Sequence, residues 1–167
     1  MRIQKRRRRE AKTNYLKRMK LLKGDSPRIV FRKTNRYIIA QYVTSKQAQD
    51  KVDMGVNSKE LLKYGWPKEA EESLKSIPAS YLTGFLIGKK ILFEKKNTPI
   101  MDFGMTRNLH KTKIYAFTKG LIDSGVKLKV DKKKDIFPDE SRIKGENMKN
   151  KINFQKIKEK INGENSK

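Results

Sequence analysis

Cysteine is absent from these 167 residues, so no disulfide framework and no thiolate metal site can form. Histidine occurs once, at His110, and one imidazole cannot build a histidine-rich centre. No apolar run reaches the roughly 18 residues that a membrane-spanning helix needs. The nearest approach, YLTGFLIGKKILF at 81–93, is interrupted by Gly88, Lys89 and Lys90. The leading cations are not followed by an apolar stretch, so no signal peptide is expected. Acidic residues are scarce where it matters most. Residues 1–36 carry 15 Lys and Arg against 2 Asp and Glu, a local charge of +13. Residues 37–100 carry only +3, and 101–167 carry +8, making up the total of +24.

What is present therefore begins with charge. Residues 5–9 are five consecutive cations, and with Arg2 they make six in the first nine positions. A core rejects them, because an unpaired guanidinium taken out of water costs several kcal/mol or more. Solvent accepts them, and their mutual repulsion predicts a disordered arm over 1–12. A neutral body with a basic arm is the electrostatic pattern of a polyanion binder. The segment lacks the Trp, Phe and Leu face of an interfacial helix, which disfavours a membrane as the polyanion. The expectation is a cytoplasmic nucleic-acid-binding protein with no membrane partner, no cofactor and no metal.

Periodicity supplies the fold. Thr13 or Asn14 can cap a helix with Tyr15, Met19 and Leu22 on one face, closed by Gly24 before Pro27. From Arg28 the period becomes two: RIVFRK (28–33) and RYIIAQYV (36–43) predict a hairpin around Thr34 and Asn35. TSKQAQD reads as a polar loop, and Val52, Met54 and Val56 predict a third strand over 51–57. Residues 58–76 read as loop with a short helical turn. Ser76 and Pro78 suit the start of a helix running to Glu94, in which Gly84 and Gly88 offer a small face for close packing. PIMDFG (99–104) predicts a strand, 113–125 a helix ended by Gly125, and 126–130 a possible last strand. Phe154, Ile157 and Ile161 hint at a weak helix, but the Lys- and Asn-rich composition beyond Pro138 favours a low-complexity tail. The whole predicts a three-layer α/β/α body with a mixed sheet of four or five strands, the fourth reached by a crossover helix. The division is an arm and helix (1–26), an α/β domain (27–137) and a C-terminal extension (138–167).

The strand order resembles the ribonuclease-H-like architecture, so a nuclease needs weighing. Metal-dependent phosphodiester cleavage needs several converging carboxylates. The first two predicted strands carry none; Asp53 and Asp102 stand alone on the others, with Asp123 and Asp131 outside them. Asp102 fits an arginine or backbone partner better than a metal. No catalytic residue is assigned. Basic groups instead cluster on edges and loops: Arg6, Arg7, Arg8, Arg9 and Lys12 in the arm, Lys17, Arg18 and Lys20 on the helix, and Arg32, Lys33, Asn35 and Arg36 at the hairpin. The loop Arg107, Asn108, Leu109, His110, Lys111, Thr112 and Lys113 precedes a helix N-terminus, where free N–H groups favour phosphate. Tyr15, Tyr37, Tyr64 and Trp66 are candidates for stacking on unpaired bases. Core packing is the competing role for each, evenly balanced for Tyr37; Trp66, between Gly65 and Pro67, reads as surface. Lysines 132–134 fit a solvated run.

Four stretches carry a more specific signal. RRRREAKTNY, RIVFRKTNRYIIAQ, SKELLKYGW followed by PASYLTGFLIGKKIL, and MDFGMTR followed by KIYAFTKGLIDSG together resemble the archaeal and eukaryotic branch of the 5S-rRNA-binding large-subunit ribosomal proteins, universal family eighteen. FPDESRIKGENM (137–148) is similar to the ending of archaeal members. The resemblance implies a ribonuclease-H-like body without its chemistry. It also implies docking on 5S rRNA in the central protuberance beside the family-five protein, contacts to 23S-type rRNA, and a monomeric state within the ribosome. The arm would thread rRNA, while Lys33–Arg36 and Arg107–Lys113 would meet its backbone. Ala11 stands where the family commonly has Gly, and WPKEAEESLKS (66–76) departs from a glycine-rich, neutral loop. A sequence-tolerant nucleic-acid packaging protein is the alternative reading.

Overall fold

Alternating β-branched residues from Arg28 onward build the centre of the molecule in a computed structural model that describes residues 3–128, 136–148 and 150–164. β1 (Arg28–Lys33), β2 (Ile38–Lys46), β3 (Gln49–Asn57) and β4 (Ile100–Asp102) form a sheet of order β3-β2-β1-β4. The β1–β2 and β2–β3 pairs are antiparallel, and β4 lies parallel to β1 as the crossover reading required. The predicted hairpin closes where Tyr37 N–H donates to Thr34 Oγ1 at 2.9 Å.

One face of the sheet presents Ile29, Phe31, Ile38, Ala40, Tyr42, Met54 and Val56, all buried. Two helices cover it: α3 (Ile77–Phe93), capped by Ser76, and α4 (Lys113–Asp123). These helices pack very closely. A Cβ on Gly84 would overlap the Phe117 carbonyl, and one on Gly120 would overlap the Tyr81 carbonyl. The small face foreseen on α3 therefore meets α4. On the opposite sheet face lies α2 (Tyr15–Lys23), whose Asn14 cap accepts from Lys17 N–H at 3.2 Å. Helix, sheet and helix pair make the three layers.

The structure departs from the sequence expectations in several places. The loop expected at 44–50 is a tight hairpin, with β2 and β3 joined by Gln47 and Ala48 at φ +49° and +64°. Such turns favour Asn and Gly, so Gln-Ala gave no signal. A bulge then changes the phase of β3: Tyr42 faces Met54 while Val43 faces Val52. Asp53 is the extra residue, and Val52 turns away from the core to be 51% exposed. On α2, Met19 is exposed, while Tyr15, Leu21 and Leu22 are half-buried. In the arm, Arg6–Arg9 form one helical turn, α1, closed by Glu10 N–H on the Arg6 carbonyl at 3.0 Å, yet none of its residues is buried.

A further departure lies beyond Pro138. α5 (Glu140–Lys144) is followed by α6 (Phe154–Glu164), which packs on α3 through fully buried Ile157 and Ile161. Phe154 sets its ring 5.3 Å from that of Tyr81. The 154, 157, 161 spacing was a real amphipathic stripe; lysine-rich composition on its other face masked it. The possible strand 126–130 is not formed over residues 126–128, and the remainder, like Asp131 and lysines 132–134, lies outside the described residues. Among the described residues no helix is long and apolar enough to cross a membrane.

Candidate nucleic-acid interface

The arm leads into α2 through Lys12 and Thr13, and both sit over the second face of the sheet. Arg7 Nε donates to Thr13 Oγ1 at 3.0 Å, Arg8 reaches Met105 Sδ at 3.4 Å, and Lys17 Nζ reaches the Gly104 carbonyl at 3.5 Å. These contacts bring the arm to the loop leaving β4. Glu10, the arm's one acid, pairs with Lys12 at 2.8 Å and Arg6 at 3.0 Å. The Lys12 hydrogen bond foremost, with the Lys12 charge, the Arg6 hydrogen bond and the Arg7 charge, outweighs desolvation and holds the Glu10 carboxyl below the usual range. Tyr15 lies half-buried under Lys5 Nζ, 4.8 Å from its ring centre, while Arg9 is exposed.

Below this layer runs a line of alternating charges. Arg18 Nη1 donates to Asp50 Oδ2 at 2.9 Å, and Arg28 Nη2 donates to Asp50 Oδ1 at 2.7 Å and to Ser45 Oγ at 2.8 Å. Arg28 also lies 3.7 Å from Asp102 Oδ2, which Arg32 approaches to 3.5 Å. Asp102 Oδ1 accepts from Gly104 N–H at 2.8 Å, so the arginine and backbone partners expected of it are in place. Burial alone would raise the Asp50 pKa; hydrogen bonds from Arg18 and Ser45 and the charges of Arg28 and Arg18 outweigh it, and the carboxyl sits below its usual range. Gly104, at φ +59°, leaves room for the Arg32 guanidinium, which would lie 3.1 Å from any Cβ there. Arg28 and Asp50 were missed at the sequence level. Arg28 begins β1 and Asp50 is the second residue of β3, which it enters only because the turn is tight.

Lys33, Asn35 and Arg36 form the exposed hairpin tip. Half-buried Tyr37 donates from its hydroxyl to Glu71 Oε1 at 3.3 Å, and Glu71, Glu72 and Lys75 share a cavity with Asn35 and Arg36. The acids make this the least favourable of the basic clusters for phosphate. Two aromatic candidates are corrected outright. Trp66 is 2% exposed and donates from Nε1 to the Ala70 carbonyl at 2.9 Å; Tyr64 is 8% exposed. Two 3₁₀ turns at Ser58–Leu62 and Lys68–Ser73 fold residues 58–76 back over the core, so neither ring can stack on a base.

Arg107, Asn108, Leu109 and His110 are exposed, with the His110 ring edge-on to Tyr115 at 5.5 Å. Lys111 N–H donates to the Ile136 carbonyl at 2.9 Å and its Nζ lies 3.5 Å from Asp139. Thr112 Oγ1 donates to the Leu109 carbonyl at 2.7 Å, and Ser80 of α3 donates to the Lys113 carbonyl at 2.6 Å. Burial, reinforced by the charges of Lys33 and Lys75, pushes the Lys113 ammonium below its usual pKa. Arg142 of α5 joins this group, which sequence spacing could not have indicated.

Two comparisons bear on identity. Residues 1–99 match the profile of the family described as ribosomal large subunit proteins 60S L5 and 50S L18. The chain is 43% identical over 143 residues to the large ribosomal subunit protein uL18 of Korarchaeum cryptofilum, covering 86% of this chain and 70% of that one. It is 41% identical over 145 residues to the uL18 of Methanothrix thermoacetophila, covering 87% and 82%. With the uL18 of Methanoculleus marisnigri, identity is 43% over 140 residues, covering 84% and 77%. An α/β body with its cations gathered on arm, helix and loops, and this degree of identity across most of the chain, place it in a family of structural proteins rather than enzymes: it belongs to the uL18 family of the large ribosomal subunit.

Proposed function

We propose that the protein binds 5S rRNA and anchors it in the central protuberance of the large subunit. In this reading it also contacts 23S-type rRNA and neighbours the family-five protein. The observation that carries the reading is the arm: four consecutive arginines form a helical turn that buries nothing. Cations held out in water, with one glutamate among them, are free to replace the counterions of a phosphate backbone. Arg7, Lys12, Lys17, Arg18, Arg28 and Arg32 outnumber Asp50 and Asp102 in one groove of about 240 Å³ between α2 and the sheet, giving the arm a continuation on the body.

The working division is the arm and α2 (1–26) as RNA anchor, the sheet and its helices (27–137) as the RNA-docking body, and 138–167 as an extension whose α6 packs on α3. Phosphate contacts position a protein on RNA but carry no sequence information. The test is therefore selective binding: the full chain should retain 5S rRNA against a large excess of bulk tRNA and co-sediment with 50S particles. Equal competition by tRNA would favour a sequence-tolerant packaging protein instead.

A further inference from the structure

A second cavity, of about 510 Å³, opens beyond the carboxyl ends of the parallel strands β1 and β4, where open α/β sheets characteristically hold ligands. Its walls are apolar: Phe31, Ile77, Leu109 and Ile114. Its rim is basic: Lys33, Arg107, Lys111, Lys113 and Arg142, with no acid among the lining residues. Leu109 is 60% exposed, an apolar side chain facing water in the middle of a cationic loop. Among the described residues no carboxylate pairs with Lys33 or Lys113. Lys113 is nevertheless half-buried and carries the like charges of Lys33 and Lys75 nearby.

Apolar walls alone would suit any hydrophobic group, and a basic rim alone any anion. Together they suit a ligand that joins a flat, poorly hydrated ring to a negative charge. A nucleotide out of the helical stack has that form, because its base seeks a surface to cover it while its phosphate stays charged. We propose that this cavity receives one unpaired nucleotide of the bound RNA, its base against Leu109, Ile77 and Ile114 and its phosphate on Lys113 and Arg107. This deepens the rRNA reading and rests on it for the source of the nucleotide. It assigns Leu109 a role that phosphate binding by its loop does not require.

The test separates the cavity from that reading. Full-length protein, wild type and Leu109→Ser, is titrated with a short unstructured oligoribonucleotide and with the same backbone carrying abasic sites. In parallel, 5S rRNA is bound and probed with dimethyl sulfate. Leu109 is largely exposed, so the substitution leaves the fold intact, which circular dichroism checks. The wild type should prefer the oligonucleotide with bases by about tenfold, the scale expected for covering roughly 50 Å² of apolar surface, and Leu109→Ser should lose that preference. On 5S rRNA, Leu109→Ser should bind several-fold more weakly with an unchanged salt slope, and an unpaired base protected by the wild type should regain reactivity. Failure of 5S rRNA binding with the base preference intact would remove the rRNA reading and leave the cavity standing. Equal affinity for both oligonucleotides, or no binding of either, would overturn the nucleotide proposal whatever 5S rRNA does. Equal affinity would also redirect the cavity to an acidic protein segment.

Discussion

Arg28 and Asp50 meet at 2.7 Å across β2, from the first residue of β1 to the second residue of β3. The two ends differ in their access to water: the Arg28 side chain is 3% exposed and that of Asp50 34%. Removing one partner of a buried pair costs about 3–5 kcal/mol when the survivor stays buried. The survivor matters here. Asp50→Ala strands a buried guanidinium with only Ser45 and a 3.7 Å Asp102, and should cost about 3 kcal/mol on that basis. Arg28→Met leaves Asp50 paired with Arg18 and partly hydrated, and should cost nearer 1 kcal/mol, the scale of one ordinary hydrogen bond. Urea midpoints at a constant m-value measure both. A larger loss from Arg28→Met would show that water does not reach Asp50.

The same carboxylate sets an acid limit. Its folded pKa lies below the unfolded value, so the ionised form is the one the fold prefers. That stabilisation is complete above the unfolded pKa of about 4 and is lost as pH falls through the lower folded value. Stability of the wild type should therefore drop more steeply below about pH 4 than that of Asp50→Asn, whose site no longer titrates. Parallel curves for the two proteins between pH 5 and pH 2 would exclude the pair as a source.

Gly120 and Gly163 are both helical glycines, yet they should respond oppositely to alanine. A Cβ at Gly120 runs into the main chain of α3, which cannot move aside as a side chain can, and overpacking of this kind costs about 1–3 kcal/mol. Gly163 has nothing within 4 Å, so alanine there should gain up to about 1 kcal/mol of helix preference. Thermal midpoints that move in opposite directions would confirm the α3–α4 contact. A stabilising Gly120→Ala would contradict it.

Ile161 tests whether the chain beyond Pro138 belongs to the folded body. The residue is fully buried against the core cluster. Ile161→Ala should destabilise by about 2–4 kcal/mol, whereas the same change in a solvated tail would be silent. The unfolding transition should remain single, because α6 shares its contacts with α3.

Deleting residues 1–12 should have the reverse profile. The arm buries nothing, so the thermal midpoint should stay put. The slope of log K against log salt should fall in magnitude by roughly 3 to 4 if four or five arm cations touch phosphate, at about 0.7 to 0.9 per contact. Arg36→Ala should change it by about one at most. An unchanged slope on both 5S rRNA and a 23S fragment would assign the arm to another partner.

The sheet was legible because Ile29, Phe31, Ile38 and Ala40 alternate within an uninterrupted hairpin, and α3 because Ser76 and Pro78 mark its start. The parts that were not legible share a cause, which is that distant contacts decided them. The Gln47-Ala48 turn is imposed by the pairing of the strands it joins. Val52 follows the bulge opposite Tyr42, which no window on β3 alone reveals. Trp66 looks exposed between Gly65 and Pro67 until the 3₁₀ turns fold over it. Of the basic surface, the arm and α2 were visible as charge runs. The loop Arg107–Lys113 was visible too, but the cavity was not, since Lys33 and Arg142 reach that loop from separate elements.

Ala11 sits at φ +50°, between the helical turn of the arm and α2. A residue with a Cβ in that region is disfavoured by about 1–2 kcal/mol relative to the right-handed form, a factor of roughly 5 to 30 in population. Alanine therefore holds the arm in this direction against its own backbone preference, and Ala11→Gly, which carries no such penalty, would let the arm leave the body along other paths.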